Sequence, residues 1–288
     1  MKKFIIKIII FSTLFCGLNV LYLILCMKYD WNFSKRIEAL NLENPVYENI
    51  ILGNSLPMDG INSRLLSIDP NSTYNLAIGG ASLKDNYIQL QEYLEFSLKK
   101  PERVLLGIGS YREGFFINNR INPVIQFTKS DYNYKLTDLP MFKFKWMFIE
   151  LLKKIISSEH RNAETVQGQL RITKTVADNT KKDAITKDIP FSEYQKSYFI
   201  KQMALLCNQN NIELILIEMP GFRNTRNYNS IGPYEIHYNQ SVKVKLYNFN
   251  GPDIDAILDP NKVWLGGSHL NKNGAEKFTE YINNYIMK

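Results

Sequence analysis

The chain has 288 residues, 45% hydrophobic and 12% aromatic, with 35 Lys and Arg against 28 Asp and Glu. That apolar content excludes a disordered chain, and the length suits one α/β domain of ordinary size plus an attachment. Lys2, Lys3 and Lys7 precede an apolar N-terminus, so the remainder carries 32 minus 28, a surplus of only +4. So mild a bias suits an anionic envelope polymer or a lipid surface, and no basic run interleaved with aromatics points to nucleic acid.

Residues 8–27 are twenty in a row without a charge, enough at about 1.5 Å per residue to cross a hydrocarbon core of about 30 Å. The lysines before them favour a cytoplasmic N-terminus, with everything after Lys28 outside. An uncleaved anchor is preferred to a signal peptide because no small-x-small site follows, and neither Cys16 nor Cys26 follows the small residue of a lipoprotein site. Cys207 is then alone in the soluble part, which excludes a disulfide framework there. The expected organisation is an anchor over 1–28, a juxtamembrane stalk over 29–47 and one domain over 48–288, with an insertion or lid at about 113–190. In the stalk, Tyr29, Trp31 and Phe33 suit either the headgroup level or packing on the domain.

Residues 49–53 form an apolar run closed by a glycine, a buried strand, and Gly53-Asn54-Ser55 puts a hydroxyl at its carboxyl end. A helical turn over 59–66 and a short strand over 73–76 follow. Gly79-Gly80 makes a turn that lets a backbone N–H approach a ligand. The spacing predicts a helix over 84–99 and a strand over 104–108 with no polar side chain, buried on both faces. Residues 141–156 mix aromatics and aliphatics with Lys143, Lys145, Lys153 and Lys154, an amphipathic helix that packs on the domain or lies on a membrane or partner. Residues 157–188 are polar and lack aromatics, which suits a mobile loop or lid. A helix over 192–210, a strand over 212–218, a long loop over 222–240, a final strand over 242–249 and a closing helix over 274–287 complete the chain. Alternating strands and helices favour a mainly parallel sheet covered on both faces.

A serine hydroxyl becomes a useful nucleophile when an imidazole accepts its proton, so Ser55 pairs with His269, one of three histidines. Three scattered histidines, no His-Glu-x-x-His and no paired cysteines leave little for a metal, and no phosphate loop or dinucleotide fingerprint implies a cofactor.

Gly53-Asn54-Ser55, the Gly79-Gly80 pair and Ser268-His269-Leu270-Asn271 before Gly274-Ala275 resemble, in that order, the blocks of the SGNH (GDSL-like) serine esterases and acyltransferases. The resemblance covers roughly residues 48–286 and leaves the middle unmatched. It implies an SGNH/flavodoxin-like α/β fold, Ser55 as nucleophile, His269 as base, and an oxyanion hole from the N–H groups of Ser55 and Gly80, with Gly79 the near alternative. The family's third donor, an Asn, falls at Tyr111, so Tyr111 or Ser110 donates or the donor is absent. The family's acid stands three residues before the histidine, where this chain has Gly266. A Ser-His dyad is therefore expected, its ring oriented by Asp259, Asp253, Glu218 or a backbone carbonyl. By the same resemblance the chain is a membrane-anchored serine esterase or O-acyltransferase acting on a cell-envelope polysaccharide or other acylated glycan. Membrane-attached members similar to the DltD type work beside a multispanning membrane acyltransferase. The missing acid and Asn keep open a catalytically impaired binding or assembly module.

Overall fold

The computed structural model describes residues 1–29, 34–35, 38–39, 47–109, 136, 139–145, 147–156, 163–173, 189–221, 230–250, 252–259, 262–266 and 269–287. In chain order the first half holds α1 (Lys2–Tyr29), β1 (Asn49–Gly53), α2 (Ser55–Gly60), β2 (Thr73–Asn75), α3 (Leu83–Phe96) and β3 (Arg103–Ile108). The middle holds α4 (Pro140–Lys143), α5 (Met147–Ile156), β4 (Ala163–Val166) and β5 (Gln169–Ile172). The rest holds α6 (Phe191–Lys196), α7 (Tyr198–Gln209), β6 (Glu213–Glu218), β7 (Tyr234–His237), β8 (Lys243–Asn248), α8 (Pro252–Ile257), β9 (Trp264–Gly266), β10 (His269–Leu270) and α9 (Lys272–Ile286).

Six strands form one sheet in the order β2-β1-β3-β6-β8-β7, parallel throughout except for β7, which runs antiparallel to β8 at the edge. Successive side chains of a strand point to opposite faces, and here both faces are apolar because both are covered. Leu52, Leu106 and Leu216 pack on one side with Leu90 of α3 and Met203 of α7. Ile51, Leu105 and Ile217 pack on the other with Phe278 and Ile282 of α9. Each buried side chain of this size is worth about 1.5–3 kcal/mol. The neighbours of β1 are β2 on one side and β3 on the other, so the strand order reverses at β1. In open α/β sheets the crevice for a ligand opens at the carboxyl ends of the strands at such a reversal.

The mainly parallel sheet with helices on both faces agrees with the sequence expectation, and several elements differ from it. Helix α2 begins at Ser55 itself, because the Asn54 side chain accepts the Leu56 N–H at 2.9 Å and caps it. The helix expected over 192–210 is two, broken at Ser197, whose hydroxyl accepts the Ile200 N–H and restarts the chain as α7. The loop expected over 222–240 contains the edge strand β7, and the hairpin β9–β10 follows the strand over 242–249 expected to be the last. The polar stretch expected to be a loop or lid contains the β4–β5 hairpin, turned at Gln167 and Gly168, both at positive φ. The hairpin is pinned to the domain: Gln167 O accepts the Asn75 N–H at 2.9 Å, and the fully buried Gln169 donates to Asp59 O at 3.1 Å. Burial of a strand through hydrogen-bonded glutamines carries no hydrophobic alternation, so the pattern hid it. Residues 157–162 and 174–188 of that stretch lie outside the described residues, as does most of the stalk.

Candidate active site

The crevice at the end of β1 is built by close approach of α2 to the sheet. Gly53 ends β1 at a φ of +139°, and a Cβ there would fall 2.4 Å from Gly107 O, so only a glycine lets the chain turn at this point. Asn75 at the end of β2 then holds α2 from beneath, its amide nitrogen donating to Pro57 O at 2.8 Å and Ile61 O at 3.3 Å. Ser55 occupies the first position of this helix, where a backbone N–H has no partner within the helix.

His269 arrives from the far end of the chain on the β9–β10 hairpin. Buried Trp264 and Leu270 anchor the hairpin, and Asn271 caps α9 by accepting the Gly274 N–H at 3.0 Å. Its Nε2 lies 3.4 Å from Ser55 Oγ, and its Nδ1 lies 2.8 Å from Asp59 Oδ2. With the proton on Nδ1 donated to the carboxylate, Nε2 presents its lone pair to the serine hydroxyl. A 3.4 Å separation is long for a hydrogen bond, and such contacts tighten when substrate binds.

The carboxylate beside the ring is Asp59, not Asp259, Asp253 or Glu218, so Ser55, His269 and Asp59 stand in series. Asp59 follows Ser55 by four residues, one helical turn, so both side chains leave the same face of α2. Gly266 is instead the backbone partner of His269 in the hairpin and sets the strand register, not the ring. The other candidates lie elsewhere. Glu218 is buried as acceptor for the Ile189 N–H and the Tyr194 hydroxyl. Asp259 lies 3.5 Å from Lys262, and Asp253 is exposed. The sequence carried one signal for Asp59: Asn54 is a good helix cap and Pro57 suits a first turn, so a helix from Ser55 was legible.

Asp59 is 4% exposed, and its Oδ1 has no hydrogen-bond partner among the described residues. Burial pushes its carboxyl above the ordinary value, while the His269 hydrogen bond, the His269 charge and the charge of buried Lys35 pull it part of the way back. Lys35 reaches this region from the segment after α1 and donates to the carbonyls of Ala77 and Gly168.

The Gly79-Gly80 turn lies against the serine, since a Cβ on Gly79 would sit 3.9 Å from Ser55 Cβ, and Gly80 adopts a φ of +79°. Asn86 is committed elsewhere, accepting the Gly53 N–H and donating to Ser82 O. Tyr111 and Ser110 lie outside the described residues, as do His160, Arg223 and Arg226. His237 is exposed and lies 3.4 Å from Glu235. Cys207 offers no rival nucleophile, because burial pushes its thiol up to about 12. Among the described residues no three His, Cys, Asp or Glu side chains converge as a metal site would require.

The chain matches no family model, no curated protein and no solved structure.

Proposed function

We propose that the protein is a membrane-anchored serine esterase or O-acyltransferase of the SGNH (GDSL-like) type, acting on acyl esters of a cell-envelope glycan. The observation that carries this reading is a hydroxyl, an imidazole and a buried carboxylate in series, at 3.4 and 2.8 Å, on the carboxyl edge of the sheet. Ser55 Oγ attacks the ester carbonyl carbon while its proton passes to His269 Nε2, and Asp59 stabilises the imidazolium. The oxyanion is met by the N–H groups of Ser55 and Gly80, each such donor being worth a factor of about 10² to 10³. Collapse expels the alcohol, which takes the proton from Nε2, and leaves an acyl group on Ser55. Water or a sugar hydroxyl then attacks this acyl-enzyme and loses its proton to the same nitrogen, the Ser55 Oγ–acyl bond breaks and Oγ takes that proton back, so hydrolysis and transfer share one machinery. A glycan at the outer surface and a multispanning acyl-delivering partner both suit a domain held by one apolar helix, with Lys2, Lys3 and Lys7 on the cytoplasmic side.

Of the two departures behind the impaired-module reading, the absent Asn stands and the absent acid is met by Asp59 beside His269. A fluorophosphonate probe applied to the full-length protein tests the choice. Labelling at Ser55 that disappears in Ser55→Ala, with turnover of a small acetyl ester lost in the same variant, is the expected result. No adduct and no turnover in the natural chain would overturn it.

A further inference from the structure

Helices α4 and α5 pack against α1. Asn19, Tyr22 and Cys26 recur at helical spacing on one side of α1 and are buried there. Phe144, Met147 and Leu151 close over that side. The contact runs along α1, since Phe142 meets Phe15 and Phe148 meets Tyr22, each pair with ring centroids 6.4 Å apart. Helix α1 has 28 residues, about 42 Å at 1.5 Å per residue, against a hydrocarbon core of about 30 Å. With Lys2 and Lys3 at one headgroup layer, the Phe15–Tyr29 half lies in the far leaflet and its interface.

Two features suit that depth. Where α4 starts and where it breaks before α5, the backbone loses helical hydrogen bonds, which is costly without water. The span supplies partners: Asn19 Oδ1 accepts the Met141 N–H at 3.1 Å, and the Tyr22 hydroxyl donates to Phe144 O at 2.7 Å, beside the Met147 N–H that this carbonyl also accepts. Beside its contact with α1, α5 presents a second apolar side of exposed Phe148, Ile149, Leu152, Ile155 and Ile156. Exposed Lys153 falls outside that arc, and Lys145 precedes the helix, both with stems long enough to reach headgroups. At the same level α1 exposes Leu18, Leu21 and Ile24, so the apolar surface of the span continues onto α5.

We infer that residues 140–156 form a second membrane element, inserted from the domain's side into the leaflet interface of the bilayer that α1 crosses, with lipid covering α5. It rests on α1 being a span. The domain then hangs from a two-part mount that fixes its height and rotation, which a single helix does not do.

The test uses the full chain in phosphatidylcholine vesicles containing phosphatidylglycerol, with an environment-sensitive fluorophore on a single cysteine. One sample keeps native Cys16, exposed on α1, with Cys26 and Cys207 replaced by alanine. The others lack all three cysteines and carry Ile149→Cys, Ile156→Cys, Lys153→Cys or, as the aqueous control, Lys243→Cys. Nitroxide lipids should quench most of the Cys16 signal with the nitroxide deep on the acyl chain, and most of the signal at 149 and 156 with it shallow. Iodide should quench 153 and 243 only. If Cys16 is quenched by lipid while 149 and 156 respond to iodide like 243, the second element is overturned and the span survives. If Cys16 escapes lipid quenching, both readings fail. If 149 and 156 escape both quenchers, protein and not lipid covers α5, which also overturns the inference.

Discussion

Asp59 is held where burial opposes its charge, and both its contribution to the site and its cost to the fold follow from that. Its role toward His269 predicts that Asp59→Asn lowers ester turnover at neutral pH by about 10⁴, because an amide does not hold the imidazole in the tautomer that faces Ser55. Ser55→Ala and His269→Ala should each fall to a similar floor, since members of one catalytic unit are not additive. The cost shows in stability. A carboxyl whose folded pKa is raised binds its proton more tightly folded than unfolded, so its contribution to stability falls as pH rises from its ordinary 3.8 through the folded value. Denaturant melts should therefore show the natural chain losing stability relative to Asp59→Asn over that window on going from acid towards neutral pH. A difference that grows in the opposite sense would mean the carboxylate is better solvated than its 4% exposure implies.

At the scale of elements, the site depends on α2 being pressed onto the ends of β1 and β3. Gly107 of β3 permits this, because a Cβ there would fall 2.5 Å from Pro57 Cβ and 2.7 Å from its Cγ. Gly107→Ala must displace α2, and Ser55 with it, while leaving the buried neighbours of β3 in place. The expected outcome is a drop of about 10² in kcat, the usual consequence of misplacing a reacting group by about 1 Å. Circular dichroism should be unchanged. Loss of the folded signal would instead make the α2 contact part of the core. The β4–β5 hairpin reaches the same helix through Gln169, and Gly168 packs so closely that a Cβ would fall 2.0 Å from Asn75 O. It acts as a brace on α2, so trimming residues 163–172 should lower activity through kcat, not through KM alone.

For the whole molecule, the decisive feature is that an α/β domain is attached to one helix long and apolar enough to cross a membrane. If Lys2, Lys3 and Lys7 lie on the cytoplasmic side as proposed, protease added to intact spheroplasts should digest the domain and leave only fragments covered by the membrane. A domain protected until the cells are lysed would reverse the topology and remove the envelope glycan as substrate. Extra salt should matter little to retention in the membrane, because an apolar helix is held by burial, not by charge.

What the sequence determined by itself was whatever depends on local pattern. An uncharged run long enough for a bilayer core, buried strands bounded by glycines and helices with regular apolar spacing were all legible, and so was the pairing of Ser55 with His269. The acid was not, because the Asn54 cap and Pro57 mark a helix from Ser55 but nothing local says that Asp59 on it is buried against an imidazole. Its role comes from a hairpin over two hundred residues away that delivers His269 within 2.8 Å, and from packing that excludes water from the carboxylate. The brace at Gln169 was hidden for the same reason. A polar residue whose partner comes from a distant segment leaves no period in its own neighbourhood, so only the tertiary structure assigns it a function.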